Sequence, residues 1–224
     1  QSATKTDTDL VQTAQSISVV TRAQMDMQNA RSVNEALRYT SGVAAEQWGA
    51  VTAFDQLTIR GFNYGSTGVS DTFLDGLRMT NGLVYGSQQI DSFLLERIDV
   101  LKGPSSVLYG LANPGGVIAL SSKRPHDREI RLVEVEGGSN DYKRGSFDFG
   151  GRLDEQGQWL YRLMGTGYDG GSQQRGTESD RYALAPSLTW SSNQATSLIL
   201  FGLFLKVSDS GAITAIPLEG TGFG

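Results

Sequence analysis

The feature that most narrows the fold is a strict two-residue alternation that runs through the second half of the chain. In Lys143–Leu153 the odd positions carry Gly145, Phe147, Phe149, Gly151 and Leu153, and the even ones Arg144, Ser146, Asp148, Gly150 and Arg152. In Arg181–Trp190 the even positions are Tyr182, Leu184, Pro186, Leu188 and Trp190, against Arg181, Ala183, Ala185, Ser187 and Thr189. Trp159, Tyr161 and Leu163 likewise stand opposite Arg162, Met164 and Thr166. Successive side chains of a strand point to opposite faces, so period two over ten residues predicts long strands with one apolar and one polar face. Aromatic residues gather near the segment ends, as in the girdles of membrane barrels.

The connections alternate in length. Asp154–Gly157 and Ser191–Ala195 are short, whereas Gly170–Asp180 is longer and strongly polar. That asymmetry fits a transmembrane barrel; a soluble β-sandwich, which also alternates, is the competing architecture. Two segments fit neither pattern well. Apolar parity slips between Leu132 and Val133, and Ser197–Val207 is apolar on both faces, with Ile199, Phe201, Leu203 and Leu205 where a lumen strand should be polar.

Residues 1–128 follow a different grammar, that of a compact α+β domain. Ser16–Thr21 is a short β-rich segment. Ser32 and Glu35 have capping-box spacing ahead of Val33, Ala36 and Leu37, and Gly42 stands where a helix C′ residue belongs. Asp55–Phe62 alternates as a strand, Ile90–Leu95 reads as one helical turn, and Arg97–Lys102 and Val117–Ser121 as further strands. Gly103-Pro104 and Asn113-Pro114-Gly115-Gly116 break the chain sharply.

Composition excludes several function classes. The 224 residues contain no Cys, so they offer no disulfide and no thiolate metal site. A net charge of −5 argues against nucleic acid as a partner. No apolar run reaches the roughly 18 residues of a spanning helix. No nucleophile–base pair or GxSxG elbow is present, so no catalytic residue is expected. His126 is the single histidine and lies in a linker, where it reads as a surface residue without a metal cluster.

An ordered series of phrases then becomes informative: Gln15–Thr21, Glu35–Tyr39, Ile59-Arg60-Gly61-Phe62, Asp75-Gly76-Leu77-Arg78, Leu95–Gly110, Pro114–Ile118 and Ser122-Lys123-Arg124-Pro125. Their order and spacing resemble the plug of TonB-dependent outer-membrane siderophore receptors, especially the ferric-hydroxamate branch. Gly145–Leu153, Leu160–Leu163 and Ala185–Trp190 carry the resemblance into the first barrel hairpins. The resemblance implies a plug over residues 1–128 and, over 129–224, about five strands of a barrel that has 22 strands in the family. It implies TonB-driven import of a ferric siderophore across the bacterial outer membrane, without catalysis, cofactor or resident metal. TonB, the ferric chelate, outer-membrane lipid or lipopolysaccharide, and phage or bacteriocin are the partners it implies, and nucleic acid is not among them.

Site residues follow from the same resemblance. Apical ligand contacts are expected from Trp48 and Gly49, from Tyr64, Gly65 and Ser66, and from Tyr85 and Gln88. The family's hydroxamate branch has a ligand-contacting arginine at the position of Trp48; this departure argues against ferrichrome and for an aromatic wall. Arg60 and Lys102 are expected to anchor the plug by pairing with barrel-wall carboxylates on strands beyond these residues.

Overall fold

The computed structural model describes residues 16–45, 57–63, 71–79, 89–104, 109–110, 112–171, 178–193 and 196–209. The order of elements is β1 (Ser16–Thr21), α1 (Arg22–Met27), α2 (Val33–Leu37), β2 (Val43–Ala44), β3 (Thr58–Ile59), β4 (Phe62–Asn63), β5 (Thr72–Leu74) and β6 (Leu77–Arg78). A 3-10 turn (Ser92–Leu94) follows, then β7 (Leu95–Lys102) and β8 (Gly116–Ser122). The wall strands are β9 (Ile130–Gly137), β10 (Lys143–Arg152), β11 (Trp159–Gly171), β12 (Glu178–Asn193), β13 (Thr196–Phe201) and β14 (Phe204–Asp209).

The first half is built on a five-stranded sheet ordered β1-β7-β8-β5-β6, in which only the β5–β8 pairing is parallel. One face is closed by α1 and α2: Val20, Met25, Val33, Leu37, Ile98, Val100, Ile118 and Leu120 form a core with exposures of 2 % or less. The predicted capping at Ser32 is present, its hydroxyl accepting from the Glu35 amide at 3.2 Å. The Glu35 carboxylate reaches back to the amide of Arg31, one residue earlier than in a standard capping box.

Three local expectations are corrected. The second helix stops at Leu37, so Gly42, with φ +74°, lies in the turn entering β2 rather than at C′. Asp55–Phe62 does not form a continuous strand. Arg60 and Gly61 occupy a two-residue hairpin loop with φ of 50° and 83°, between Ile59 and its partner Phe62. Two consecutive positive φ values are what a tight hairpin of matching twist requires, and the Gly supplies one of them without strain. Finally, Ile90–Leu95 narrows to the 3-10 turn, capped by the Asp91 side chain accepting from the Phe93 amide at 2.9 Å.

The second half is an antiparallel sheet ordered β13-β12-β11-β10-β9, with β14 also paired to β12. Its burial follows the sequence parity. Along β12, Arg181, Ala183, Ala185, Ser187 and Thr189 are buried against the plug while Tyr182 and Leu184 are exposed. Trp159 and Trp190 face each other across β11 and β12, ring centroids 6.1 Å apart. Tyr182 to Trp190 on the outward face spans about 26 Å of strand at roughly 3.3 Å per residue, close to the apolar band of an outer-membrane barrel. The β11–β12 connection is shorter than Gly170–Asp180, because both strands run on to Gly171 and Glu178.

Strands β13 and β14 continue one another. Ser187 pairs with Phe201 and Leu184 with Phe204, so one register carries on from β13 into β14, the only shift lying at the start of β13, between Ser191 and Asn193. Between β13 and β14 the ladder lapses opposite Pro186, which accepts from the Gly202 amide at 2.9 Å but has no N–H to return. This register sends Ile199, Phe201, Leu203 and Leu205 inward. Leu203 and Leu205 pack on Phe93, Leu94, Met164, Ala183 and Ala185, so the strand is apolar inside because it meets an apolar part of the plug.

Candidate functional site

The plug sits against the wall through buried side chains of two stretches, Gln89, Asp91, Phe93 and Leu94 in one and Lys123 in the other. Arg144 on β10 donates to Asp91 at 2.7 Å, with side chains 4 % and 1 % exposed. One position along the wall, Arg181 on β12 donates to the Gln89 side chain and stacks over Tyr168 at 5.2 Å. Deeper, Asp148 on β10 accepts two hydrogen bonds from Arg162 on β11, at 2.9 and 2.7 Å, and one from plug Lys123 at 3.3 Å. Arg162 also donates to the Arg124 carbonyl at 3.0 Å, and Lys123 lies over the Phe93 ring at 4.2 Å.

Electrostatics follow from this burial. Desolvation pushes the Asp91 carboxyl above its ordinary range, with Arg144, the Phe93 amide and Arg181 pulling the other way. Burial pushes the Lys123 ammonium down against the opposing pull of Asp148. A buried ion pair is weak evidence of net stability, yet losing one partner is costly because a charge is left without compensation.

These wall arginines and plug acids were not singled out from the sequence. The available signal was the charge on the polar face of a strand predicted to line the lumen: Arg144, Asp148, Arg162 and Arg181 all stand there.

Of the anchors expected from the sequence, Lys102 is buried and donates to the Ser18 and Ser41 hydroxyls at 2.8 and 3.0 Å. Arg60 is exposed at the hairpin tip, and one of its terminal nitrogens comes within 3.4 Å of the place a Cβ on Gly103 would take. Burial, with the nearby Arg60 charge adding to it, lowers the Lys102 pKa. No carboxylate pairs with either cation among the described residues. Arg97, by contrast, pairs with Asp99 on its own strand at 3.2 Å.

The expected ligand contacts Trp48, Gly49, Tyr64, Gly65, Ser66, Tyr85 and Gln88 lie outside the described residues. One flank of the last stretch is placed: Gln89 is clamped to the wall by Arg181. His126 is half-buried rather than fully exposed, and its Nδ1 has no partner.

Residues 9–117 match the family model of the TonB-dependent receptor plug domain. The chain is 43 % identical over 223 residues to the ferrioxamine receptor of Yersinia enterocolitica, covering 99 % of this chain and 31 % of that protein. The chain belongs to the TonB-dependent receptors. This receptor chain is also 39 % identical to the ferrichrome outer membrane transporter/phage receptor of Escherichia coli K12, over 97 % of its own length and 29 % of that relative. Among solved structures it resembles the ferripyoverdine receptor of Pseudomonas aeruginosa bound to ferripyoverdine, with a TM-score of 0.83 at 27 % identity, covering 92 % of this chain and 27 % of that one. The receptor chain thus spans about a third of the length of the curated relatives it matches. It holds the plug and the first wall strands of a barrel that is not closed within these residues.

Proposed function

We propose that the receptor to which this chain belongs imports a ferric siderophore of hydroxamate type across the bacterial outer membrane, in a cycle driven by TonB. The observation that carries the reading is 43 % identity to a ferrioxamine receptor over 99 % of the chain. The wall supports it: the outward face is apolar with paired tryptophans, and the inward face is charged and occupied by the plug. In this reading Trp48, Tyr64 and Tyr85 supply aromatic surface to the chelate, with Gly49, Gly65, Ser66 and Gln88 beside them. The chelator already fills the iron coordination sphere, so the plug binds the shell of the complex and not the metal. Arg60 and Lys102 anchor the plug to wall carboxylates, since two adjacent cations call for opposite charge. Bacteriocin capture is a further reading, favoured by the likeness to the pyoverdine receptor in its complex with pyocin S2, at TM-score 0.72 and 28 % identity.

The test is tryptophan fluorescence of the intact receptor in detergent, titrated with ferric hydroxamates, ferric catecholates, cobalamin and iron-free siderophores. Saturable quenching by a ferric hydroxamate, weaker for its iron-free form, is expected. The Trp48→Ala/Tyr85→Ala variant should insert normally and bind more weakly. A response to cobalamin alone would overturn the cargo, and unchanged affinity in the double variant would overturn the pocket.

A further inference from the structure

The buried cations of the wall are satisfied unequally. Arg144 has Asp91 at 2.7 Å and Glu136 at 3.8 Å, and Arg162 shares Asp148 with Lys123. Arg181 is buried more deeply than either arginine, yet no carboxylate lies within ion-pair distance of it among the described residues. One of its terminal nitrogens donates to the Gln89 side-chain carbonyl, the guanidinium lies 5.2 Å from the Tyr168 ring centroid, and Nε has no partner. A neutral amide and a ring face return less of a buried cation's lost hydration than a carboxylate does. Arg181 therefore adds little to the strength with which the plug is held; what it contributes is geometry.

The setting of Arg181 is rigid. Strand β12 is paired on both sides at this point, with Arg181 opposite Tyr168 of β11 and Val207 of β14. The Tyr168 and Ser179 hydroxyls share a hydrogen bond at 3.1 Å, which holds the ring beside the guanidinium. Tyr142 packs against the same ring, centroids 5.9 Å apart. A planar guanidinium fixed in this way presents its N–H groups in set directions, so it holds the Gln89 side chain in one place.

Gln89 stands where the plug chain enters the core. Ile90 is buried in the main apolar cluster, and Asp91 is tied to Arg144. Before Gln89 comes the stretch containing Tyr85 and Gln88, and ahead of that stretch Met79 donates its amide to the Thr72 carbonyl at 2.9 Å. Gln88 is one Cα step from Gln89, about 3.8 Å, and four residues of chain keep Tyr85 within about 14 Å of it.

We infer that Arg181 is a positioning residue for the bound chelate: by fixing the Gln89 side chain to the wall, it sets where Gln88 and Tyr85 meet the ferric hydroxamate. This role rests on the import reading above, in which those two residues are contacts. A contact stretch held at its base has less freedom to lose on binding, so the tie raises affinity although Arg181 does not touch the chelate. Seating of the plug is left to Asp91–Arg144 and Lys123–Asp148–Arg162.

The experiment titrates the tryptophan fluorescence of the intact receptor in detergent with two ferric hydroxamates, ferrioxamine B and ferrichrome. In parallel, maleimide labelling of Leu94→Cys in each background reads whether the plug stays seated, because Met164, Ala183 and Ala185 of the wall cover that position. Arg181→Met and Gln89→Ala should each weaken the tighter complex about tenfold, the size expected for one lost hydrogen bond from a charged donor. Arg181→Met with Gln89→Leu should bind no more weakly than either single variant, since both changes remove the same tie. Labelling in this apolar pair should match the parent. Gln89→Glu gives Arg181 a carboxylate and keeps the tie, so it should bind within about twofold of the parent. An Arg181→Met affinity within about twofold of the parent would overturn the role. So would losses that multiply to about a hundredfold in the paired variant, or labelling that rises in step with lost affinity. A parent receptor that binds neither complex would instead remove the hydroxamate reading itself, and the role with it.

Discussion

Asp148 is the position where one atom-scale change should report most directly on how the plug is held. It accepts from Lys123 at 3.3 Å and twice from Arg162, and the three side chains are 2 %, 7 % and 7 % exposed. Asp148→Asn keeps the shape and removes the charge, leaving two cations face to face in a dry setting. Breaking a buried pair typically costs about 3–5 kcal/mol, and here two partners are orphaned by one substitution, which favours the upper part of that range. At about 1.4 kcal/mol per factor of ten, unseated plug should become roughly a hundred to several thousand times more frequent. The assay is maleimide labelling of Leu94→Cys in the intact receptor, a plug position 2 % exposed and covered by Met164, Ala183 and Ala185 of the wall while the plug is seated. Lys123→Met, Asp148→Leu and Arg162→Met together should restore most of the protection, because a buried triad can often be exchanged for apolar residues at little cost. Equal labelling in Asp148→Asn and its parent would refute the reasoning. So would a triple variant that labels as fast as the single one, since the loss would then not come from orphaned charge.

Lys102 and Gly116 give two more tests. Burial and Arg60 lower the Lys102 pKa; for a base, that means the folded state disfavours the ammonium, and stability would rise as pH climbs through the folded pKa toward the ordinary value. A wall carboxylate removes that penalty, so the melting temperature of the parent minus that of Lys102→Met should stay flat between about pH 7 and 10 in the intact receptor. A parent that gains on the variant as pH rises would sink the anchoring role. Gly116 has φ +140° and a Cβ there would lie 2.1 Å from the Leu101 carbonyl oxygen, whereas a Cβ on Gly145 meets nothing within 4 Å. Gly116→Ala should therefore lower plug stability by several kcal/mol, about 3 or more, and Gly145→Ala should change it little. Unfolding by urea in detergent checks both, and equal midpoints would count against the close approach.

The wall strands were legible because a sheet buried on one face writes its burial directly into odd and even positions. The parities of Arg181–Trp190 and of Lys143–Gly150 are the burial pattern observed; at the end of β10 the pattern breaks, with Gly151 buried and Arg152 exposed. Legibility failed where the part of the plug that a strand's inner face meets is itself apolar. Ser197–Val207 then lost its contrast, because what the inner face touches is about a hundred residues away in sequence. Short plug elements were harder for another reason. The hairpin at Arg60-Gly61 rests on two positive φ values, and the alternation of Leu57 and Ile59 against Thr58 and Arg60 reads the same with or without a turn after it. The apical contacts and anchors were reached only through family likeness. The ion pairs of Arg144, Asp148, Arg162 and Arg181 depend on the register of three strands and on a turn at Ser92–Leu94, none of which local spacing specifies.

The doubly apolar β13–β14 strand has a consequence for how the barrel is made. Leu198, Leu200 and Phe204 point outward while Ile199, Phe201, Leu203 and Leu205 point inward. A one-residue slip normally turns polar groups into lipid and is rejected on that ground; here it would exchange one apolar set for another. Neither does the hydrogen-bond ladder resist fully, since Pro186 leaves a gap in it midway. The choice of face must be made by a surface that recognises the shape of one set and not the other. Phe93 and Leu94 provide such a surface for Leu203 and Leu205, so on this stretch the inward face is distinguished by the shape of the plug it meets and not by polarity.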